Sequence, residues 1–129
     1  MIEVNNIKKK IGDKLILDDI SLNLDKGKIY GFRGRNGSGK TMLFRAICGL
    51  ITIDQGYIVV DGLKLANKHF PADIGLLLEN PAFLPELSGY DNLEMIASIR
   101  NVVGKERIEE VIEIVGLTDA KDKAFGKYS

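Results

Sequence analysis

The chain's 129 residues, 45% of them apolar and 28% charged, suffice for one ordinary globular domain with one moderate core, which excludes a disordered chain. Lys plus Arg and Asp plus Glu stand at 18 each, so no overall basic field argues for nucleic acid or anionic lipid as a partner. The single cysteine excludes an internal disulfide. No run approaches the roughly 20 apolar residues of a membrane span, and the N-terminus lacks the apolar block of a signal peptide, so the chain is expected to be cytosolic, or attached to a membrane only through a partner.

From Ile2 to Asp25 the apolar residues tend to alternate, as in Ile2 and Val4 and again in Ile20, Leu22 and Leu24, which predicts antiparallel strands with turns near Gly12-Asp13 and Lys26-Gly27. Lys8-Lys9-Lys10, a run of three with no interleaved aromatic, reads as a solvated face rather than a nucleic-acid patch. Lys28 to Phe32 is predicted as a short buried strand. It runs into Gly34-Arg35-Asn36-Gly37-Ser38-Gly39-Lys40-Thr41, which fits the pattern G-x-x-x-x-G-K-[ST], and Met42 to Cys48 is predicted as the helix that leaves it. Strand, loop, helix is the order this pattern requires.

The residue types of that loop suit polyphosphate oxygens, which need many donors at short range. Backbone N–H groups of a Gly-rich turn supply them, and Gly34, Gly37 and Gly39 leave room for the approach. The start of the helix adds free N–H groups and the positive end of its dipole. Lys40 is expected to reach the β- and γ-phosphates and the Thr41 hydroxyl to ligate Mg²⁺. Arg33 and Arg35 flank the first glycine; they either add positive potential there or are simply exposed. Leu43, Ile47 and Leu50 fall on one helix face that is expected to pack inward, with Gly49 ending the helix and Cys48 in the core.

Asp54-Gln55-Gly56 is a turn signal, Tyr57 to Val60 is strand-like, Asp61-Gly62 is a hairpin turn and Leu63 to Leu65 a second short strand. His69, without acidic or cysteine neighbours, reads as a surface residue rather than a metal ligand. Ile74 to Leu78 is a continuous apolar run, predicted as a strand covered on both faces and ending at Glu79-Asn80-Pro81. Ser88-Gly89-Tyr90-Asp91 is a capping box that opens a helix to about Arg100, with Leu93, Ile96 and Ala97 at helical spacing. A further helix is predicted from Lys105, with Ile108, Val111, Ile112 and Val115 on one stripe and Gly116 stopping it, and Thr118 is expected to cap a third, short helix.

Several segments beyond the loop resemble the nucleotide-binding subunit of ABC transporters. Leu17 to Gly27 is similar to this family's lead-in, and Ile47-Cys48-Gly49-Leu50, then Asp54-Gln55-Gly56 and Val60-Asp61-Gly62, to its continuation. Ile74 to Leu78 followed by Glu79 to Leu93 resembles its Q-loop and the start of its helical subdomain, in a version similar to bacitracin-resistance and lantibiotic-type exporters. The resemblance implies an α/β P-loop NTPase core with an antiparallel β layer over residues 1–86 and the start of a helical subdomain over 87–129, as an incomplete, truncated nucleotide-binding domain.

It also implies ATP and Mg²⁺ as cofactors, held by Gly34, Asn36, Gly37, Ser38, Gly39, Lys40, Thr41 and Met42, with Lys40 and Glu79 as catalytic residues and Thr41 and Glu79 at the metal. Two positions depart from the family. Glu79 stands where a Gln is usual, and a carboxylate accepts but does not donate. Ile11 stands near the place of an aromatic that stacks on adenine, so about 0.5–1.5 kcal/mol of stacking is expected to be missing. The implied partners are a membrane-spanning permease and a second nucleotide-binding subunit, at the cytoplasmic face of the cell membrane, with no nucleic acid. The family's signature loop, Walker B Asp, catalytic Glu and switch His lie downstream of what is matched, with Ser129 as only the signature's first serine, so this chain is expected to bind nucleotide without hydrolysing it. A soluble ABC-type ATPase and a non-enzymatic fragment are the competing readings.

Overall fold

The computed structural model describes residues 1–65, 70–71, 73–78 and 81–128. His69, Glu79 and Ser129 lie outside the described residues. The chain divides into two compact units, Met1–Leu78 and Glu79–Ser129.

In the first unit, β1 (Ile2–Ile11) and β2 (Lys14–Leu24) form an antiparallel hairpin, and β3 (Gln55–Val60) and β4 (Leu63–Lys64) complete a four-stranded sheet in the order β2-β1-β3-β4. Both expected hairpins are present. The second turns at Asp61 and Gly62 with φ of 49° and 83°, the geometry that an Asp-Gly pair favours. The register puts Val4 opposite Leu22 and Ile58, and Ile2 opposite Leu24 and Val60, so one sheet face is apolar. The helix α1 (Lys40–Ile47) packs on that face. Val4, Ile7, Leu17 and Ile58 from the sheet and Leu43, Ala46 and Ile47 from the helix form the core, each burial contributing about 1.5–3 kcal/mol for the larger side chains. Cys48 is buried beside them, and burial pushes its thiol pKa up, as suits a core residue.

The opposite face is polar, with the Tyr57 hydroxyl donating to Glu3 at 2.8 Å and Lys64 over the Tyr57 ring. Lys8 and Lys9 are ion-paired with Asp18 and Asp54, so two of the three consecutive lysines are tied within the unit.

β1 is irregular where two residues, Asn5 and Asn6, stand against Ser21 alone. Asn6 adopts φ 45° and donates its N–H to Ser21 Oγ and its amide to Asp19. β3 meets this bulge with Gly56, at φ 82°, where a Cβ would lie 2.3 Å from Asn5 O and 2.6 Å from Asn6 O. Only a residue without Cβ fits there.

Three expectations need correction in this unit. Lys28 to Phe32 and Ile74 to Leu78 are not strands, because a strand exists through inter-strand hydrogen bonds and the described sheet holds neither segment. Ile29 and Leu77 are accordingly exposed. Leu50 is exposed as well. Gly49 turns to φ 73°, and the Leu50 N–H bonds back to Arg45 O, which carries the side chain off the buried face of α1.

In the second unit, α2 (Gly89–Arg100) opens on the expected capping box, with the Asp91 N–H donating to Ser88 Oγ at 3.0 Å and the Ser88 N–H to the Asp91 carboxylate. Asn92, 1% exposed, accepts from Leu84 N–H and donates to the carbonyls of Leu84 and Ser88. α3 (Lys105–Ile114) buries Ile108 and Ile112, while Val111 and Val115 of the expected stripe are exposed. Thr118 does not cap a helix. The end of α3 is closed by Gly116 N–H to Glu113 O and Leu117 N–H to Ile112 O, so the following single turn, Thr118–Ala120, already starts from Leu117. Phe83 and Phe125 meet edge to face at 5.0 Å, and Tyr128 Oη donates to Ala120 O. No helix among the described residues is long and apolar enough to cross a membrane.

Two tests follow from the first unit. Gly56→Ala adds both left-handed strain and a backbone clash, and is expected to cost about 2–4 kcal/mol in urea unfolding, against about 1–2 kcal/mol for Gly12→Ala, whose added Cβ meets open space. The Asp54 carboxyl accepts from the Lys10 N–H and pairs with Lys9, and both hold its pKa below the usual carboxylate range. A depressed carboxyl stabilises above its unfolded pKa of about 3.9, and that contribution is lost as pH falls through the folded value. The stability difference between wild type and Asp54→Asn is therefore expected to be full at pH 6 and to fade below about pH 4, read from urea midpoints.

Candidate functional site

α1 has no side-chain cap at its start. Its N-cap is Gly39 at φ 90°, and no side chain accepts from the first-turn N–H groups. The first helical bond runs from Leu43 N–H to Gly39 O at 2.8 Å, so the N–H groups of Lys40, Thr41 and Met42 have no carbonyl within the helix to meet. Gly39 itself is seated on the sheet, where a Cβ would stand 2.8 Å from Ile16 O and 3.3 Å from Leu17 Cδ2. Ile16 is the extra residue of a bulge, since Lys9 pairs with Leu17 and Lys10 with Leu15. Phe32, just before the loop, packs edge to face on Phe44 of α1 at 5.2 Å.

The loop closes over the Lys40 ammonium. Its Nζ donates to Gly34 O at 2.8 Å and to Arg35 O at 2.9 Å, with Ser38 Oγ at 3.4 Å, while Ser38 N–H donates to Arg35 O. A Cβ on Gly34 would stand 2.7 Å from Ser38 Oγ and 3.7 Å from Lys40 Nζ, so the concavity is one that a side chain at this position would fill. Neutral carbonyls hold the ammonium in place and leave its charge uncompensated. A polyphosphate fits this set of donors: open N–H groups, a positive helix end and a fixed cation converge in one loop. Among the described residues no group of three His, Cys, Asp or Glu side chains is placed to hold a metal. Thr41 at the first turn suits Mg²⁺ of the kind that phosphates and water mainly coordinate.

Gly34, Asn36, Gly37, Ser38, Gly39, Lys40, Thr41 and Met42 thus share one loop and helix start. Ile11 lies apart in sequence, at the end of β1 opposite Lys14, and is exposed. Ile16 and Leu17 were missed. The signal for them was the run Leu15-Ile16-Leu17, which breaks the alternation of β2 and marks the bulge.

The family described as ABC transporter matches residues 17–129, and the chain belongs to it. The uncharacterized ABC transporter ATP-binding protein YybJ of Bacillus subtilis (strain 168) is 41% identical over 130 residues, which cover 100% of this chain and 60% of that protein. The bacitracin transport ATP-binding protein BcrA of Enterococcus faecalis is 37% identical over 131 residues, covering 100% of this chain and 42% of the relative. A lantibiotic transport ATP-binding protein of Streptococcus pyogenes is 29% identical over 129 residues, covering 100% and 56%. The ADP conformation of an ATP-binding cassette of an ABC transporter superposes with a TM-score of 0.82 at 26% identity, over 99% of this chain and 58% of that one. The chain therefore spans 60% or less of each of these proteins. The resemblance to bacitracin- and lantibiotic-type ATP-binding proteins holds, and so does the expected fold class of a P-loop core with an antiparallel β layer.

Gly39→Ala and Gly34→Ala separate the two kinds of space in the loop. At Gly39 the obstacle is a backbone carbonyl under a left-handed residue, whereas at Gly34 it is a serine side chain that can rotate. Gly39→Ala is expected to lower the unfolding free energy by about 2–4 kcal/mol, and Gly34→Ala by under about 1 kcal/mol, measured by urea unfolding.

Proposed function

We propose that this chain is the nucleotide-holding part of the ATP-binding subunit of an ABC exporter, and that it binds Mg²⁺-ATP through the loop from Gly34 to Thr41. The observation that carries this reading is the Lys40 ammonium held at the loop's own carbonyls beside an α1 start with no side-chain cap. Asn36, Gly37, Ser38 and Gly39 lend backbone donors, Lys40 the charge and Thr41 the hydroxyl for the metal. Bound Mg²⁺ neutralises phosphate charge. Ile11 is our assignment for the base position, and Glu79 for the Q-loop position, on family resemblance.

The whole subunit, in this reading, hydrolyses ATP and couples it to export together with a membrane-spanning permease and a second nucleotide-binding subunit, at the cytoplasmic face of the membrane. Relatives named for bacitracin and lantibiotic transport support a transporter, and the exporter reading follows the resemblance to that type. Phosphoryl transfer also needs groups that orient the attacking water and neutralise developing charge. The resemblance supplies only Lys40, Thr41 and Glu79 of these, so the 129 residues alone are assigned binding without useful turnover.

Titration with Mg²⁺-ATP and Mg²⁺-GTP tests the reading. The two are expected to bind within about tenfold of each other, because an aliphatic Ile11 offers no ring for stacking. Lys40→Ala is expected to lose about 1.5–3 kcal/mol, or roughly 10- to 150-fold, of that affinity, with no product formed in a single-turnover assay of either protein. Equal binding by wild type and Lys40→Ala would overturn the site.

A further inference from the structure

Resting on the reading of the loop as a polyphosphate site, we infer that the guanidinium of Arg35 is a further phosphate-binding group, a second cation that meets the same anion as Lys40. Arg35 is exposed, yet its backbone is fixed within the loop, since its carbonyl accepts from Lys40 Nζ at 2.9 Å and from Ser38 N–H at 3.2 Å. An anionic oxygen on Lys40 Nζ sits about 2.8 Å from it, which places that oxygen within about 6 Å of the Arg35 carbonyl. The long arginine side chain covers such a distance, and its planar fork matches two phosphate oxygens at once.

The guanidinium is also uncommitted. Lys8, Lys9, Lys26 and Lys28 of the same unit each face a carboxylate within 3.4 Å. Arg35 has no such partner among the described residues. Arg33 is likewise exposed and unpaired, but it lies outside the loop and none of its backbone groups bonds to the Lys40 ammonium. The anchored backbone is what singles out Arg35. An exposed guanidinium tethered at the rim adds attraction that rises with the charge of the anion and is screened by salt.

Inorganic tripolyphosphate is the probe, because it carries the phosphates and no base. Its affinity for wild type, Arg35→Gln, Arg35→Lys and Lys40→Ala is measured at about 0.05 M and at about 0.5 M salt, roughly threefold apart in screening length. Arg35→Gln is expected to weaken binding about 5- to 10-fold at low salt, with the gap closing at high salt, and Arg35→Lys to lie between it and wild type. The melting temperature without ligand is expected to stay at the wild-type value, since the side chain is exposed and has no ion pair among the described residues. Wild-type affinity and salt dependence in Arg35→Gln, with binding lost in Lys40→Ala, would overturn the inference and leave the loop assignment standing. Equal binding by wild type and Lys40→Ala would overturn the loop assignment itself, and the inference with it.

Discussion

The contact of Gly39 with the Ile16 carbonyl sets the position of everything around the loop. It is a joint of backbone on backbone, in which a left-handed residue that needs no Cβ comes down on the one residue of β2 that a bulge has pushed out of register. Because Gly39 is also the N-cap of α1, the same contact fixes where the helix starts. Leu43, Ala46 and Ile47 then fall on the apolar sheet face, and Lys40, the next residue in sequence, falls inside the loop. Core packing and the geometry of the loop share a single joint.

That arrangement forgoes a stabilising device. A Ser, Thr, Asp or Asn at the N-cap contributes about 1 kcal/mol by satisfying a first-turn N–H, and α1 has none. Lys40 is treated in a similar way, since its charge is met by carbonyl dipoles rather than by a carboxylate. A chain whose charges balance at 18 each therefore carries a local excess of unmet donors and positive charge at one loop. Net charge, being a sum over the surface, reports none of this. Local rules broken at one place, with regular packing around it, are what a binding site looks like in energetic terms.

What was legible in the sequence was local. The loop pattern, the Asp61-Gly62 turn and the Ser88 capping box each depend on residues within eight positions of one another, and each is present in the fold. What was not legible depends on distant partners. Lys28 to Phe32 and Ile74 to Leu78 have the composition of strands, but composition names no neighbour for their hydrogen bonds. Val111 and Val115 fit an apolar stripe on α3, although the burial extends only over Ile108 and Ile112. Asn6 and Gly56 form a pair that neither residue announces, because the bulge lies in one strand and the vacancy it needs lies in another, fifty positions away.

The starts of α1 and α2 show how the same backbone problem is solved in opposite ways. At α2 the Ser88 hydroxyl accepts from the Asp91 N–H, the Asp91 carboxylate accepts in return from the Ser88 N–H, and Asn92 behind them binds the carbonyls of Leu84 and Ser88. The Tyr90 and Asp91 donors there are met by Lys121 O and Ser88 Oγ, and a carboxylate already occupies the place where an anion would be drawn. Leu87-Ser88-Gly89, despite its small and polar residues, is thereby closed to phosphate. At α1 a glycine replaces the serine and a lysine follows where α2 has a glycine, so no side chain caps the first turn and the local charge is positive. The dipole has the same sign at both helix starts, and it is the capping chemistry that leaves the first turn of α1 without a side-chain acceptor and gives α2 one.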